Sequence, residues 1–304
     1  MKLTILIKIL LLWLWISQAD AESYKFYVAF AQDTLSNDYR FAQVKDVELA
    51  FRKYKDVKFV YSDANGSTAW LIKNIEDHIA AGIDLLMVSP DNAAALTPVI
   101  SSIYKRGIPV VLVDRAIDSN DYTTLVHPDN KVIAKNAARY IMSKMDQGNI
   151  LMLEGIPNAS VTRERTDEFI KEVSKNKNIN VIRRTANFLR ADAMRVILEL
   201  LEQGIEFDAI YSQSDSMLSG ARLVLNKQGI DLSSRLTVGI DYIDEARTAI
   251  RAGEQNASFT YSLCGKESVE AAMSILNKKN IPKEIIIKST LVTKNNVEKV
   301  EPIF

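Results

Sequence analysis

The chain has 304 residues, with 38 basic and 38 acidic side chains and a formal net charge of zero. At roughly 100–200 residues per domain this length predicts two domains, and the 47% apolar content excludes disorder over most of the chain. Neutral charge argues against a nucleic-acid binder, the single cysteine, Cys264, excludes an internal disulfide or a Cys-rich metal site, and two histidines, His78 and His127, leave little for a His-based metal centre.

Residues 1–21, MKLTILIKILLLWLWISQADA, read as a secretory signal peptide. Lys2 and Lys8 supply the positive start, Ile9–Ile16 is an unbroken apolar run, and Ala19-Asp20-Ala21 is a small-x-small cleavage site. The run falls far short of the about 20 residues that span a bilayer, and no cysteine near the cleavage site offers a lipid anchor. Cleavage after Ala21 leaves 36 basic and 37 acidic residues, net −1. The expected location is the periplasm. There the unpaired Cys264 reads as a packed small side chain, not a reactive thiol.

Beyond the signal, short apolar runs alternate with longer amphipathic ones. Strands are expected at Lys25–Gln32, Val57–Asp63, Asp84–Ser89, Pro109–Asp114, Tyr122–His127, Asn149–Glu154, Asn180–Thr185, Ala209–Ser212 and Leu236–Asp241, with a weaker one at Ser258–Tyr261. Helices are expected at Asp38–Lys55, Thr68–Ala81, Ala93–Arg106, Asn130–Met145, Thr162–Lys175, Ala191–Gln203, Asp215–Gln228 and Ile243–Ala252. Ser67 and Asp91 precede helical runs as N-caps, and Gly82, Gly107, Gly204 and Gly229 close others. Apolar strands of four to six residues fit burial on both faces, and the alternation fits right-handed βαβ units. The fold class is therefore α/β with parallel sheets. No low-complexity linker divides the chain, so two lobes must be joined by short strand-like crossings.

Ligands of such sheets bind beyond the carboxyl ends of the strands. The polar residues there are Gln32 with the loop to Arg40, Ser89–Asp91, Asp114-Arg115, His127–Asp129, the loop Gly155–Arg165, Phe188, Ser212–Asp215, Asp241 and Tyr261. Carboxylates that accept, guanidinium forks that donate and aromatic faces that cover C–H patches are the chemistry of sugar recognition.

Five motifs in order carry a family resemblance: GIPVVLVDRAID (107–118), VHPDN (126–130), EGIPNASVTRERTDEF (154–169), IYSQSDSMLSGA (210–221) and TVGID (237–241). Over 23–304 the chain resembles the periplasmic sugar-binding proteins of the ribose/galactose type (type I), related to the ligand-binding part of LacI-type repressors. FAQ (30–32) and the Tyr39-Arg40 pair place it nearest the galactofuranose-binding branch. The resemblance implies two Rossmann-like lobes joined by a three-strand hinge, one of 22–127 plus 260–285 and the other of 128–259 plus 286–304. It implies that Asp114 and Arg115 grip the sugar from the first lobe and Arg165 and Asp241 from the second. Phe188 would pack on the ring, with Tyr39, Arg40, Gln32, Ser214 and Tyr261 as further contacts. The chain departs from the family at Ser214, where asparagine is usual, at Tyr261, where glutamine is common, and at Pro128 in the crossover. These positions set hydroxyl preference and leave the choice of sugar open.

Plainer roles stand beside several of these. Asp114-Arg115 also fits a surface ion pair, Asp241 a cap for the helix near Ile243, Phe188 a core aromatic, and Arg165 a cap on a solvated helix face, with one of Arg163 and Arg165 structural and the spacing favouring Arg165 as the contact. Asp215 reads as a helix-start residue, and His127 as part of a hinge strand. There is no G-x-G pair among the eleven glycines, no G-x-S-x-G elbow and no H-E-x-x-H. Asp63-Ala64-Asn65-Gly66 lacks the later ligands of a calcium loop and reads as a turn. A signal peptide stands where a repressor would carry its DNA-binding helices. The expected function is therefore capture of a hexose or pentose, furanose forms included, for the membrane permease of an ABC importer. The alternative is a ligand sensor for a membrane histidine kinase or chemoreceptor. No enzyme activity, catalytic residue, cofactor, metal or nucleic-acid partner is expected, and the free protein is expected to be a monomer.

Overall fold

A computed structural model describes residues 24–304; the signal-peptide assignment at 1–21 lies outside the described residues. The first sheet is built from β1 (Phe26–Gln32), β2 (Val57–Asp63), β3 (Leu85–Ser89), β4 (Val110–Val113) and β5 (Thr124–Pro128). These strands alternate with α1 (Asp38–Phe51), α2 (Thr68–Ala80) and α3 (Ala93–Lys105). After α4 (Asn130–Met142) the second sheet runs through β6 (Gly148–Glu154), β7 (Ile179–Thr185), β8 (Ala209–Ser212), β9 (Leu236–Asp241) and β10 (Ala257–Thr260). Its helices are α5 (Ser160–Val173), α6 (Arg190–Glu202), α7 (Asp215–Lys227) and α8 (Asp244–Ala252). Helix α9 (Gly265–Leu276) and β11 (Glu284–Ile287) return to the first sheet, and β12 (Leu291–Thr293) to the second.

The strand orders are β11-β5-β4-β3-β1-β2 and β12-β10-β9-β8-β6-β7. The first sheet is parallel throughout, and only β12 runs antiparallel in the second. The chain passes between the sheets after Pro128, at 261–264 and at 288–290. Each crossing falls a residue or two beyond the expected boundary, because Pro128, Thr260 and Ile287 are still paired in their sheets.

Helices cover both faces of each sheet, so central strands bury every residue, as in Leu85–Ser89 and Val110–Val113. One cluster under α1 and α9 gathers Val28, Phe30, Val44, Val47, Met87 and Val269, while Leu71, Ile75, Leu96 and Ile100 of α2 and α3 fill the opposite face. The second sheet repeats the arrangement, with Ile133, Phe169 and Tyr211 on one face and Leu151, Ile197 and Leu218 on the other. Each such side chain contributes about 1.5–3 kcal/mol by leaving water.

Helix starts follow the caps. Ser67 accepts from Trp70 N at 3.3 Å, as expected. Asn92, not Asp91, caps α3 by accepting from Ala95 N at 3.1 Å. Asp91 instead is buried and accepts from the Thr68 hydroxyl. The expected helix-closing glycines have φ between 66 and 88°, which glycine adopts without the strain a Cβ brings.

Candidate functional site

The C-terminal ends of both sheets face one another across the crossings, and a narrow cavity of about 300 Å³ lies between them. Nine of the ten residues expected to bind line it: Tyr39, Arg40, Asp114, Arg115, Arg165, Phe188, Ser214, Asp241 and Tyr261. Gln32 does not. Its amide donates to Gln43 Oε1 at 3.0 Å and its Oε1 accepts from Asp33 N at 3.1 Å, so it braces β1 against α1 from behind.

The first-lobe wall is made by α1 and the end of β4. The buried stripe of α1 begins with Tyr39, Arg40 and Gln43 and turns apolar at Val44, Val47 and Phe51. Its polar end therefore reaches the cavity while its apolar end anchors the helix. Asn37 caps it by accepting from Arg40 N at 3.1 Å. Arg40 donates to Asp114 Oδ2 at 2.5 Å, to Ser89 Oγ at 3.0 Å and to Gln43 Oε1 at 2.9 Å. Arg115 donates to Asp33 Oδ2 at 2.7 Å. Asp114-Arg115 is thus not an exposed surface pair: both are 2% exposed, and each has a different partner.

The second-lobe wall comes from α5, β8 and β9. Arg165, on the buried face of α5, donates to Asn130 Oδ1 at 2.8 Å and to the Gln213 carbonyl at 2.5 Å. Arg163 stands on the surface and pairs with Asp118 at 2.6 Å, which separates the roles of the two arginines. Asp241 is no cap. Ile243 occupies the cap position of α8, and Asp241 sits at φ 112° with its side chain 4% exposed. Asp215 does more than start α7. Fully buried, it accepts from Gln255 and Ser258 side chains and from Tyr242 N, fixing the turn that presents Asp241. Ser214 both lines the cavity and caps α7, accepting from Met217 N at 3.2 Å. Phe188 serves the core and the cavity at once, packing with Leu153 and Val196. A Cβ on Gly155 would stand 1.9 Å from the Phe188 ring, so glycine is required beside it.

Tyr261 lies in the second crossing and joins the two walls. Its hydroxyl lies 2.5 Å from Asp114 Oδ1 and 3.1 Å from Asn130 Oδ1. Arg165 lies over the Tyr261 ring at 4.4 Å. Asn37, Asn130 and Val161 were not singled out from the sequence. Asn130 ends the VHPDN motif, and Asn37 carries an N-cap signature, so both signals were present but pointed to structure alone. Cys264 is fully buried at the start of α9, where burial and Asp114 push its thiol up, and His127 is half-buried in β5.

The two carboxyl groups at the cavity are shifted in opposite directions. Burial raises the Asp114 carboxyl, but Arg40, Arg115, the Tyr261 hydroxyl and Arg165 outweigh it and hold Asp114 below the usual carboxylate range. Burial pushes Asp241 well above that range; Arg165 opposes the shift, and Asp215 and Asp114 add to it. The site therefore offers a fixed anionic acceptor on one side and a carboxyl poised to donate on the other. Among the described residues no group of three or more His, Cys, Asp and Glu is arranged to hold a metal ion.

The lobes stand closed over this cavity. Asn37 Nδ2 donates to the Phe188 carbonyl at 2.6 Å, and Ala116 N donates to Ser160 Oγ at 2.9 Å. Asp38 pairs with Arg190 at 2.7 Å and accepts from Ser216 Oγ at 3.0 Å.

Comparison with known proteins agrees with this architecture. Residues 28–280 match the periplasmic binding protein domain family. The ribose import binding protein RbsB of Bacillus subtilis (strain 168) is 30% identical over 264 residues, 86% of this chain and 85% of that protein. The galactofuranose-binding protein YtfQ of Escherichia coli (strain K12) is 26% identical, covering 76% of each. Among solved structures, the fructose binding periplasmic domain of the hybrid two component system BT1754 superposes with a TM-score of 0.85 at 28% identity, over 90% of this chain and 92% of that one. Two parallel-sheet lobes, three crossings and a buried polar cavity between them accompany a family match over most of the length, and the chain belongs to the periplasmic binding protein family.

Proposed function

We propose that the protein captures a sugar in the interlobe cavity and delivers it to the membrane permease of an ABC importer. The observation that carries this reading is the composition of the cavity wall. Three arginines, two carboxyl groups in opposite protonation tendencies and the rings of Tyr39, Phe188 and Tyr261 converge on one narrow space between the lobes. Hydroxyl groups both donate and accept, so a polyhydroxylated ring matches a wall that carries donors and acceptors on both sides. Asp114 and Arg115 hold the sugar from the first lobe, Arg165 and Asp241 from the second. Contacts from both walls form only on closure, so ligand shifts the population toward the closed state. The similarity to a ribose import binding protein and to a galactofuranose-binding protein supports a sugar and an importer.

The finer parts of the reading are a signal peptide cleaved after Ala21 and export to the periplasm. A sensor reading is second. It is favoured by one observation: a solved neighbour is the periplasmic domain of a hybrid two component system. A thermal-shift screen of residues 22–304 against pentoses, hexoses and polyols tests the binding role. A ligand at a hundred times its Kd adds about 2.7 kcal/mol of stability, a shift well above noise. No shift with any of these compounds would overturn the sugar assignment.

A further inference from the structure

Gln43 lies one turn along α1 from Tyr39 and Arg40, is fully buried, and does not line the interlobe cavity. Its Oε1 accepts from Arg40 Nη1 at 2.9 Å and from Gln32 Nε2 at 3.0 Å. Its Nε2 donates to the Leu263 carbonyl at 3.1 Å. Chemistry fixes this orientation, because a guanidinium only donates and a backbone carbonyl only accepts, so a flipped amide would satisfy neither.

Leu263 belongs to the second crossing. Tyr39, Gln43 and Asp46 are spaced i, i+4, i+7 and share one face of α1. The Tyr39 hydroxyl donates to the Ser262 carbonyl at 2.6 Å, Gln43 reaches Leu263, and Asp46 Oδ2 accepts from Gly265 N at 2.9 Å. A Cβ on Gly265 would stand 2.3 Å from Asp46 Oδ2, so the crossing lies directly on the helix. One residue earlier, Tyr261 N donates to the Asp241 carbonyl of the second lobe at 3.2 Å. The backbone thus leaves the second lobe at Tyr261 and is held by α1 from Ser262 onward. Cys264 has φ 64°, a conformation that a residue with a Cβ keeps only where its surroundings hold it. Of the three α1 side chains, only Gln43 hydrogen-bonds both a cavity arginine and the crossing.

We propose that Gln43 is a positioning residue that couples Arg40 to the second crossing, so that a ligand which orders the Arg40 guanidinium also orders the segment about which the lobes turn. The proposal rests on the reading of the interlobe cavity as the ligand site.

Amide hydrogen exchange on residues 22–304 tests it. The probes are Cys264 and Gly265, whose N–H groups donate to Ser262 Oγ at 3.0 Å and to Asp46 Oδ2. Arg40→Lys keeps a positive charge beside Asp114 but not the fork that also reaches Gln43. It is expected to speed exchange at both amides fivefold or more, and by less than twofold when Gln43→Met is also present. Gln43→Glu keeps an acceptor for Arg40 and loses only the donor to Leu263. It is expected to uncouple the two in the same way, and it replaces the methionine variant if that one does not fold. Unchanged exchange in β8 shows that each variant is folded. No effect of Arg40→Lys, or the same factor with and without Gln43, would overturn the coupling and leave Gln43 a packing residue. A second arm adds D-ribose, D-galactose or D-fructose. A sugar that binds is expected to slow exchange at both amides in the wild type and not in Gln43→Met, and slowing that survives the substitution would overturn the proposal. Failure of all three to bind counts against the sugar reading alone, because the Arg40→Lys comparison needs no ligand and decides the coupling by itself.

Discussion

Arg115 lines the inner cavity and also neutralises Asp33, two buried charges in one lobe that persist whether the cleft is open or closed. Read as a loop residue it would be dispensable to folding, but buried ion pairs behave otherwise. Removing one partner leaves the other uncompensated, at roughly 3–5 kcal/mol. Arg115→Ala is therefore expected to abolish the ligand-induced thermal shift and to lower the melting temperature of the ligand-free protein. An unchanged ligand-free melting curve would show that Arg40, whose Nε stands 3.9 Å from Asp33 Oδ1, is counter-charge enough on its own. Asp241 calls for a different pair of substitutions. Its carboxyl is pushed up by burial, with Asp215 and Asp114 adding to that and Arg165 opposing it, which favours a protonated form able to donate. Asp241→Asn keeps a donor and an acceptor and is expected to hold the Kd within a few-fold. Asp241→Ala loses both and is expected to weaken binding about tenfold to a hundredfold, at roughly 1.5–3 kcal/mol for a strong hydrogen bond. Equal losses in both variants, measured by calorimetry, would mean that Asp241 binds as an anion.

At the scale of elements, Asp215 ties the start of α7 to the end of β9 and to β10 through three hydrogen bonds. Burial raises its carboxyl to about 6; the donors of Ser258, Gln255 and Tyr242 and the charge of Arg222 oppose the shift. A folded pKa above the unfolded value means that the native state binds the proton more tightly. The stabilisation is then complete below the ordinary value of 3.8 and is lost as pH climbs through about 6. Relative to Asp215→Asn, wild-type melting temperature is expected to fall between about pH 4 and pH 6 and to run parallel above that; parallel curves throughout would place the carboxyl at its ordinary value. The same corner shows what the sequence could reveal. Strands buried on both faces read as apolar runs, and their polar last residues marked the cavity, which is why Asp114 and Asp241 were visible. Polarity at a strand end does not say what satisfies it. Gln32 looked like Asp241 in this respect, yet Gln43 on α1 claims it. Asn37 was hidden for the opposite reason, since an asparagine just before α1 is explained by capping, and Asn130, the first residue of α4 after its cap Asp129, stood out by no pattern of its own. The elements β11 and β12 have only four and three residues at sheet edges, too short for a period to show.

Across the whole molecule, closure depends on contacts that ring the cleft. Asp38–Arg190 and Asp118–Arg163 join the lobes through side chains a third to a half exposed. Ion pairs in that setting contribute about 0.2–1 kcal/mol each and are screened by salt. The buried contacts, Asn37 to the Phe188 carbonyl and Ala116 to Ser160, are not screened in the same way. Ligand affinity includes the free energy of closing, so a contact made only in the closed state strengthens binding without touching the ligand. Each pair thus corresponds to a factor of about 1.4–5 in Kd. The double variant Arg163→Ala/Arg190→Ala is expected to weaken binding by about 2- to 25-fold at low salt and to lose most of the salt dependence of the wild type. Its ligand-free form is expected to be the more open by small-angle scattering, and its ligand-bound form to match the wild type. Unchanged affinity with unchanged salt dependence would assign closure to the buried contacts alone, and the surface pairs would then follow closure rather than favour it.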